Sequence, residues 1–177
     1  MKIAKHKGFT LIELMVSMAI VAILAGTAIV NFSKNSDRDM KQEKERLTSF
    51  LREVQNKAMV GDRSGITLTA NQKLCGFGVN QQGGSTIQAY YIVAGNLDAD
   101  CSTTANSYDS TRKLEVLLLR NSVTVSGSFL DVFFLSPNGK IYYGGSDTFT
   151  SPITINLTRG TSSGSIPVNI DRSGRIY

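Results

Sequence analysis

Glu13 is the side chain whose setting most demands chemistry. It is the single charge in the run from Phe9 to Val30, and in hydrocarbon an unpaired carboxylate costs on the order of 2.5–3.5 kcal/mol. Its chemistry is therefore ion pairing with a partner cation, or, as an isolated residue, snorkelling to the interface. Cys75 and Cys101 either close one disulfide or stay as two free, buried thiols. Asn96, Asp98 and Asp100, with Asp109 beyond them, begin like a calcium loop. The residues sixth and twelfth from Asn96 are Cys101 and Ser107, where an EF-hand needs Gly and Glu. A solvated loop is the reading, and no metal site is expected. Near the C-terminus Lys140, Arg159, Arg172 and Arg175 outnumber Asp147 and Asp171. Cations on surface strands serve solubility, or contact phosphates.

Several function classes are excluded by what is scarce. The chain has one histidine, His6, so Ser-His and Cys-His nucleophiles and imidazole metal ligation would all rest on one residue at the extreme N-terminus. There is no Gly-rich phosphate loop and no nucleophile elbow. An enzyme is not expected, nor any cofactor. The net charge of +5 is concentrated at the start. Without Lys2, Lys5 and Lys7 the 19 Lys and Arg fall to 16, against 14 Asp and Glu. Bulk charge thus gives little reason for general nucleic-acid binding.

The elements that must position these residues are legible. Phe9–Val30 would make a helix about 33 Å long, which matches a hydrocarbon core of roughly 30 Å. Polar residues from Asn31 to Asp39 then mark an exit from lipid. Met40, Leu47, Phe50, Leu51, Val54 and Ala58 follow at helical spacing, with Lys41, Glu43, Lys44, Glu45, Arg46, Arg52 and Glu53 between them. This predicts an amphipathic continuation, one face packed and the charged positions wet, ending near Gly61 as C-cap.

Beyond Gly61 the composition turns to Gly, Ser, Thr and β-branched residues. Strands are predicted over 65–69, 74–80, 87–93, 114–119, 122–125, 130–135, 140–143, 153–157, 165–170 and 175–177. Ser136-Pro137-Asn138-Gly139 makes 131–143 a hairpin, and Asp171-Arg172-Ser173-Gly174 is the turn of a last one. The fold class is α+β: a long N-terminal helix, its upper half transmembrane and its lower half amphipathic, packed on an antiparallel, sandwich-like head.

The short basic leader ending in Gly8, followed by Phe9-Thr10-Leu11-Ile12-Glu13, resembles the N-terminus of a type IV pilin or pseudopilin. An ordinary secretory signal has a shorter apolar region and a small-residue cleavage site. Ala25-Gly26-Thr27-Ala28 is the only stretch here that could pass for one. The resemblance implies the pilin fold, cleavage after Gly8 by a prepilin peptidase, and N-methylation of the new first residue, Phe9. It also implies assembly through Glu13, paired with the amine of Phe9 on a neighbouring subunit. His6 would leave with the leader.

The parts would then be a leader over 1–8, a transmembrane and assembly helix over 9–30, its amphipathic continuation over 31–61, and a β-rich head over 62–177. The expected partners are the peptidase/methyltransferase, other pilin subunits and the membrane, crossed once. The expected location is the bacterial inner membrane, with the head outside the cytoplasm, and afterwards a filament. Cys75 and Cys101 would lie in an oxidising compartment, where one disulfide is the favoured state and stabilises by roughly 3–4 kcal/mol.

Pilins often carry a proline shortly after the apolar run, and none stands near Val30 here. In the head, Leu117-Leu118-Leu119, Val123-Thr124-Val125, Phe134 to Gly139, and Val168-Asn169-Ile170 with Gly174-Arg175-Ile176 are similar to the order of elements in the GspH/FimT family of minor pseudopilins and minor pilins. Residues 80–113 match nothing in it. The resemblance implies a structural minor pilin or pseudopilin of a type IV pilus or a type II secretion pseudopilus, active in initiation or at the tip. The alternative it offers is a DNA-binding minor pilin of a DNA-uptake filament, with Arg172 and Arg175 as the contact residues.

Overall fold

A computed structural model describes residues 10–102, 109–126, 129, 131–160 and 164–177; within it the side chains of residues 28–36 are left out of the description. Helix α1 spans Leu11–Val60. Eight strands follow: β1 (Lys73–Gly83), β2 (Thr86–Ala94), β3 (Lys113–Leu118), β4 (Val123–Val125), β5 (Val132–Leu135), β6 (Ile141–Tyr143), β7 (Ile153–Arg159) and β8 (Ser165–Ile170). By packing the chain divides into two units, Met1–Arg38 and Asp39–Tyr177.

In the first unit α1 starts at a reciprocal cap. The Glu13 N–H donates to Thr10 Oγ1 at 3.3 Å and the Thr10 N–H donates to Glu13 Oε2 at 3.5 Å. Thr-x-x-Glu ahead of an apolar run is the sequence form of this capping box. Every side chain from Leu11 to Thr27 is exposed. Ser17 and Thr27 spend their hydroxyls on the carbonyls of Leu14 and Leu24.

The second unit is α+β, as the pattern predicts, with every strand pair antiparallel. The five-stranded sheet has the order β3-β2-β1-β5-β6 and the three-stranded sheet β4-β7-β8. Met40, Leu47, Phe50, Leu51, Val54 and Ala58 are all buried in one cluster with Phe77, Val79, Ile87, Phe134, Ile155 and Val168. The helical spacing therefore marked the packed face correctly. The opposite face of the larger sheet carries a second cluster, built on Cys75, Tyr90, Ile92, Phe133 and Tyr142. Gly78 is required there, because a Cβ at that position would collide with the Tyr90 ring.

α1 ends as expected at Gly61, whose φ is +65°. The Asp62 N–H reaches the Lys57 carbonyl at 3.0 Å and the Gly61 N–H that of Ala58 at 3.2 Å, a Schellman closure. The hairpin over 131–143 forms, with a cis Ser136–Pro137 bond at its turn. The turn at 171–174 also forms, closed by the Gly174 N–H on the Asp171 carbonyl.

Three expectations need correction. Residues 65–69 form no strand. Ile66 and Leu68 pack on the core, but β1, the strand that follows, already has β2 on one side and β5 on the other and offers this segment no free side. The expected last strand, 175–177, is reduced to a single bridge at Ile176, although Tyr177 exchanges both main-chain bonds with Asn169.

The third correction concerns Glu43, assigned with the other charges to the wet face and in fact only 2% exposed. Arg46 Nη1 donates to both of its oxygens at 2.8 and 2.7 Å, and the Arg120 N–H donates to Oε2 at 3.2 Å. Just beyond Arg120, Asn121 and Ser122 both have positive φ, 55° and 59°, in the tight turn that leads to β4. Glu43 thus fastens α1 to the start of that turn. Its replacement by Ala leaves a partly buried N–H and a partly buried guanidinium without their acceptor. Breaking a fully buried pair costs about 3–5 kcal/mol; with Arg46 one-third exposed, we expect Glu43→Ala to cost about 2 kcal/mol. Urea unfolding of the full chain in detergent checks this, and Arg46→Ala should cost less.

Candidate functional site

The residues with the clearest chemical demand lie at the start of α1. Gly8 and Phe9 fall outside the described residues. Glu13 is described, one turn into the helix, and its carboxylate folds back on the Thr10 N–H within the same chain. That bond is long and exposed, so it occupies the carboxylate without burying it. Around it Leu11, Ile12 and Leu14 are 77%, 72% and 51% exposed. Among the described residues no helix is long and apolar enough to cross a membrane. Of the span read from the sequence, Phe9 and the side chains of residues 28–30 lie outside the description.

In the second unit the two cysteines are joined: Cys75, in β1, and Cys101 form a disulfide with Cα atoms 5.2 Å apart. The bond ties the loop after β2 onto the outer cluster, where both residues are buried. Lys73 Nζ adds a bond to the Ala99 carbonyl at 3.1 Å. With the cysteines 26 positions apart, Cys75→Ser with Cys101→Ser should lower stability by about 3–4 kcal/mol in the chain-entropy model. The shift in denaturation midpoint under non-reducing conditions measures it.

The acidic residues of that loop are engaged locally. Asn96 Oδ1 accepts the Asp98 N–H, Asp100 accepts the N–H and hydroxyl of Ser102, and Asp109 accepts those of Thr111. Among the described residues no three potential metal ligands stand together.

The C-terminal cations are not brought into one patch: Arg159 lies at the Asp39 end of the β7–β8 pair, Arg172 and Arg175 lie beyond its other end, and three of the four cations are matched by acids. Lys140 pairs with Asp147, Arg159 with Asp39 at 2.9 Å, and Arg175 with Asp171 at 3.1 Å. The Arg175 guanidinium also lies 4.9 Å from the centre of the Tyr177 ring. Arg172 is exposed, and the Lys140–Asp147 hydrogen bond raises the pKa of Lys140 and lowers that of Asp147. Pairing of this kind reduces the positive potential a phosphate backbone would meet.

Sequence reasoning missed a repeated device. Asp62, Asp100, Asp109 and Asp171 each stand two residues before a Ser or Thr whose N–H and hydroxyl they accept. Asp-x-Ser/Thr is the readable signal. It also missed the Thr10–Glu13 cap, for which Thr-x-x-Glu was on the page.

A family model described as the prokaryotic N-terminal methylation motif matches residues 3–29. No curated protein and no solved structure matches the chain. The motif is consistent with a type IV pilin or pseudopilin, and the α+β arrangement of the chain matches the pilin fold. It supports a type IV pilin-like, structural protein processed by prepilin peptidase, and it suggests membrane anchoring and assembly with other pilins.

Asp171 gives a pH dependence that can be read at one residue. The Ser173 hydroxyl, the Arg175 and Ser173 N–H groups and the Arg175 guanidinium all favour its carboxylate, holding its pKa below the ordinary value. A group depressed on folding contributes stability above its unfolded pKa, and that contribution is lost as pH falls through the folded one. Stability should therefore decline below about pH 4. Carboxyl NMR should show Asp171 titrating lower than in the unfolded chain, and Asp171→Asn should flatten this part of the acid decline.

Proposed function

We propose that this chain is a minor pilin or pseudopilin of the GspH/FimT type, a structural subunit of a type IV pilus or a type II secretion pseudopilus that acts in initiation or at the tip. The observation that carries the reading is the methylation motif at residues 3–29, with Glu13 as the one charge in the apolar run that follows. Prepilin peptidase cuts between Gly8 and Phe9 and methylates Phe9. Residues 9–30 anchor the protein in the bacterial inner membrane, crossing it once, with the head outside the cytoplasm.

Assembly then removes the apolar side chains of Leu11–Thr27 from lipid and packs them among the helices of other subunits. The Thr10–Glu13 cap keeps the carboxylate partly satisfied until then. On assembly Glu13 exchanges that weak bond for the methylated amine of Phe9 on a neighbour, an ion pair in low dielectric and so strongly dependent on register.

The order of head elements and the sandwich-like arrangement of the two sheets support placement with GspH/FimT. A DNA-uptake role for Arg172 and Arg175 would use the same architecture. The acid partners of Lys140, Arg159 and Arg175 support the structural reading over it.

Two measurements test the proposal. Mass spectrometry of the exported protein should find an N-terminal Phe9 carrying one extra methyl group. A mature form starting beyond Ala25 would end the reading. Glu13→Ala should insert in the membrane as well as wild type yet enter sheared filaments at about one-tenth the wild-type level or less, the consequence of losing roughly 1.5 kcal/mol or more of pairing.

A further inference from the structure

β3 is an edge strand of the larger sheet, and its outer side is unusually bare. The Leu119 N–H donates to the Ser85 carbonyl at 2.9 Å, Leu117 is paired with Ile87, and Gln88 Nε2 donates to the Glu115 carbonyl at 2.7 Å. The odd-numbered residues thus turn their main chain toward β2. Successive residues of a strand turn opposite ways, so the N–H and C=O groups of Val116 and Leu118 point away from β2. Among the described residues no hydrogen bond reaches those four groups. The side chains beside them are also apolar and open, 53% exposed at Val116 and 57% at Leu118.

Sheet edges are normally blunted by Pro, by an inward charge or by a covering segment. Among the described residues each of the other edge strands is covered at one or more positions, the Val125 N–H of β4 by the Gly84 carbonyl. β8 takes the main-chain bonds of Tyr177, and Tyr143 of β6 bonds back to Ser146. β3 has no comparable cover among the described residues.

Alongside its open edge runs a groove of about 720 Å³, walled by Gln42, Glu45, Ser49 and Glu53 of α1 and by Leu117 and Arg120. α1 runs antiparallel to β3 here, since Glu43 meets Arg120 and Lys57 meets Glu115. A segment laid beside β3 would therefore pair with the sheet and rest one row of side chains on the helix. The groove is polarised along its length. Arg120 stands at one end with Arg46, Glu43 and Glu45, and toward the other Glu53 lines the groove and shares the ammonium of Lys57 with Glu115, which lies beyond the lining.

We propose that the open edge of β3 is a docking site for an extended segment of another protein, added to the sheet as a further strand. The segment that fits has apolar side chains at alternate positions, to lie beside Val116 and Leu118. It carries an acidic residue toward Arg120 and a basic one toward Glu53 and Glu115. Main-chain bonds supply the affinity, and alternate side chains the selectivity. The inference stands on the head alone and is independent of how the N-terminus is processed.

The probe is a labelled peptide, Lys-Val-Thr-Val-Thr-Val-Asp, titrated by fluorescence anisotropy against the full chain in detergent. We expect saturable binding below millimolar concentration. N-methylation at alternate peptide residues, which removes the donors on one edge, should weaken it about tenfold or more. Val116→Pro should do the same: it deletes only the outward donor, and proline is tolerated where an edge N–H faces solvent. Leu118→Lys and Arg120→Glu serve as second variants, each to be compared at an unchanged thermal midpoint. Absence of saturable binding, or equal binding by the N-methylated peptide, overturns the proposal. Protection of the Val116 and Leu118 amides on concentrating the protein alone would give the edge to a second copy and overturn it as well.

Discussion

The second unit depends on the burial of one helical stripe, Met40 to Ala58, against the sheets. Six apolar side chains of one helix enter the same cluster as both sheets, so the helix is what the two sheets share. Nonpolar burial at about 25 cal/mol per Å² gives this contact its strength but not its register. Register comes from polar groups that cannot be satisfied in any other position. Glu43 on the Arg120 N–H, Arg52 on the Ile176 carbonyl and Gln55 on the Gly174 carbonyl fix the helix at three points along its length. A slide of one turn would keep much of the apolar contact and lose all three.

The same helix has a different task before Arg38. From Leu11 to Thr27 its apolar side chains are exposed. Such a face is unstable in water and is stabilised by an apolar environment. Polar residues there turn inward on the helix's own backbone: Ser17 and Thr27 bond local carbonyls, and Glu13 bonds the Thr10 N–H. Each removes a polar demand that hydrocarbon could not meet. Glu13 differs from the others because its charge survives the bond. A capping carboxylate is still a charge in search of a cation, so the cap holds it ready without replacing a partner.

How much of this was readable from the sequence depends on how local the cause is. The helix face was readable because Met40, Leu47, Phe50, Leu51, Val54 and Ala58 repeat at the helix period. The end at Gly61 and the hairpin around Pro137 were readable because turn chemistry is confined to a few residues. Glu43 was misread because one of its donors comes from far away in the chain. Arg46, one turn on, was visible, but the Arg120 N–H is 77 residues distant. The segment 65–69 was misread for the opposite reason. Its Ile-Thr-Leu-Thr alternation is good strand sequence, but a strand is a relation between two segments, and β1 had no free side to offer. At the candidate site Glu13 was conspicuous as a lone charge. Its actual bond, to Thr10, was missed because attention to the charge displaced attention to the cap.

Residues 65–69 and β3 meet different fates in the head. Both are rich in β-branched or aliphatic residues, and only β3 found a neighbour, on one side. Gln88 shows what that half-pairing required. At the irregularity between Gln88 and Tyr90 the ladder fails, and the buried Gln88 amide supplies donors to the Ala89 and Glu115 carbonyls in its place. The inner side of β3 is therefore completed down to a side-chain substitute for a missing main-chain donor. A fold that satisfies one side of a strand this thoroughly, while leaving apolar side chains and main-chain groups together on the other, has the asymmetry of a surface that is finished only in a complex.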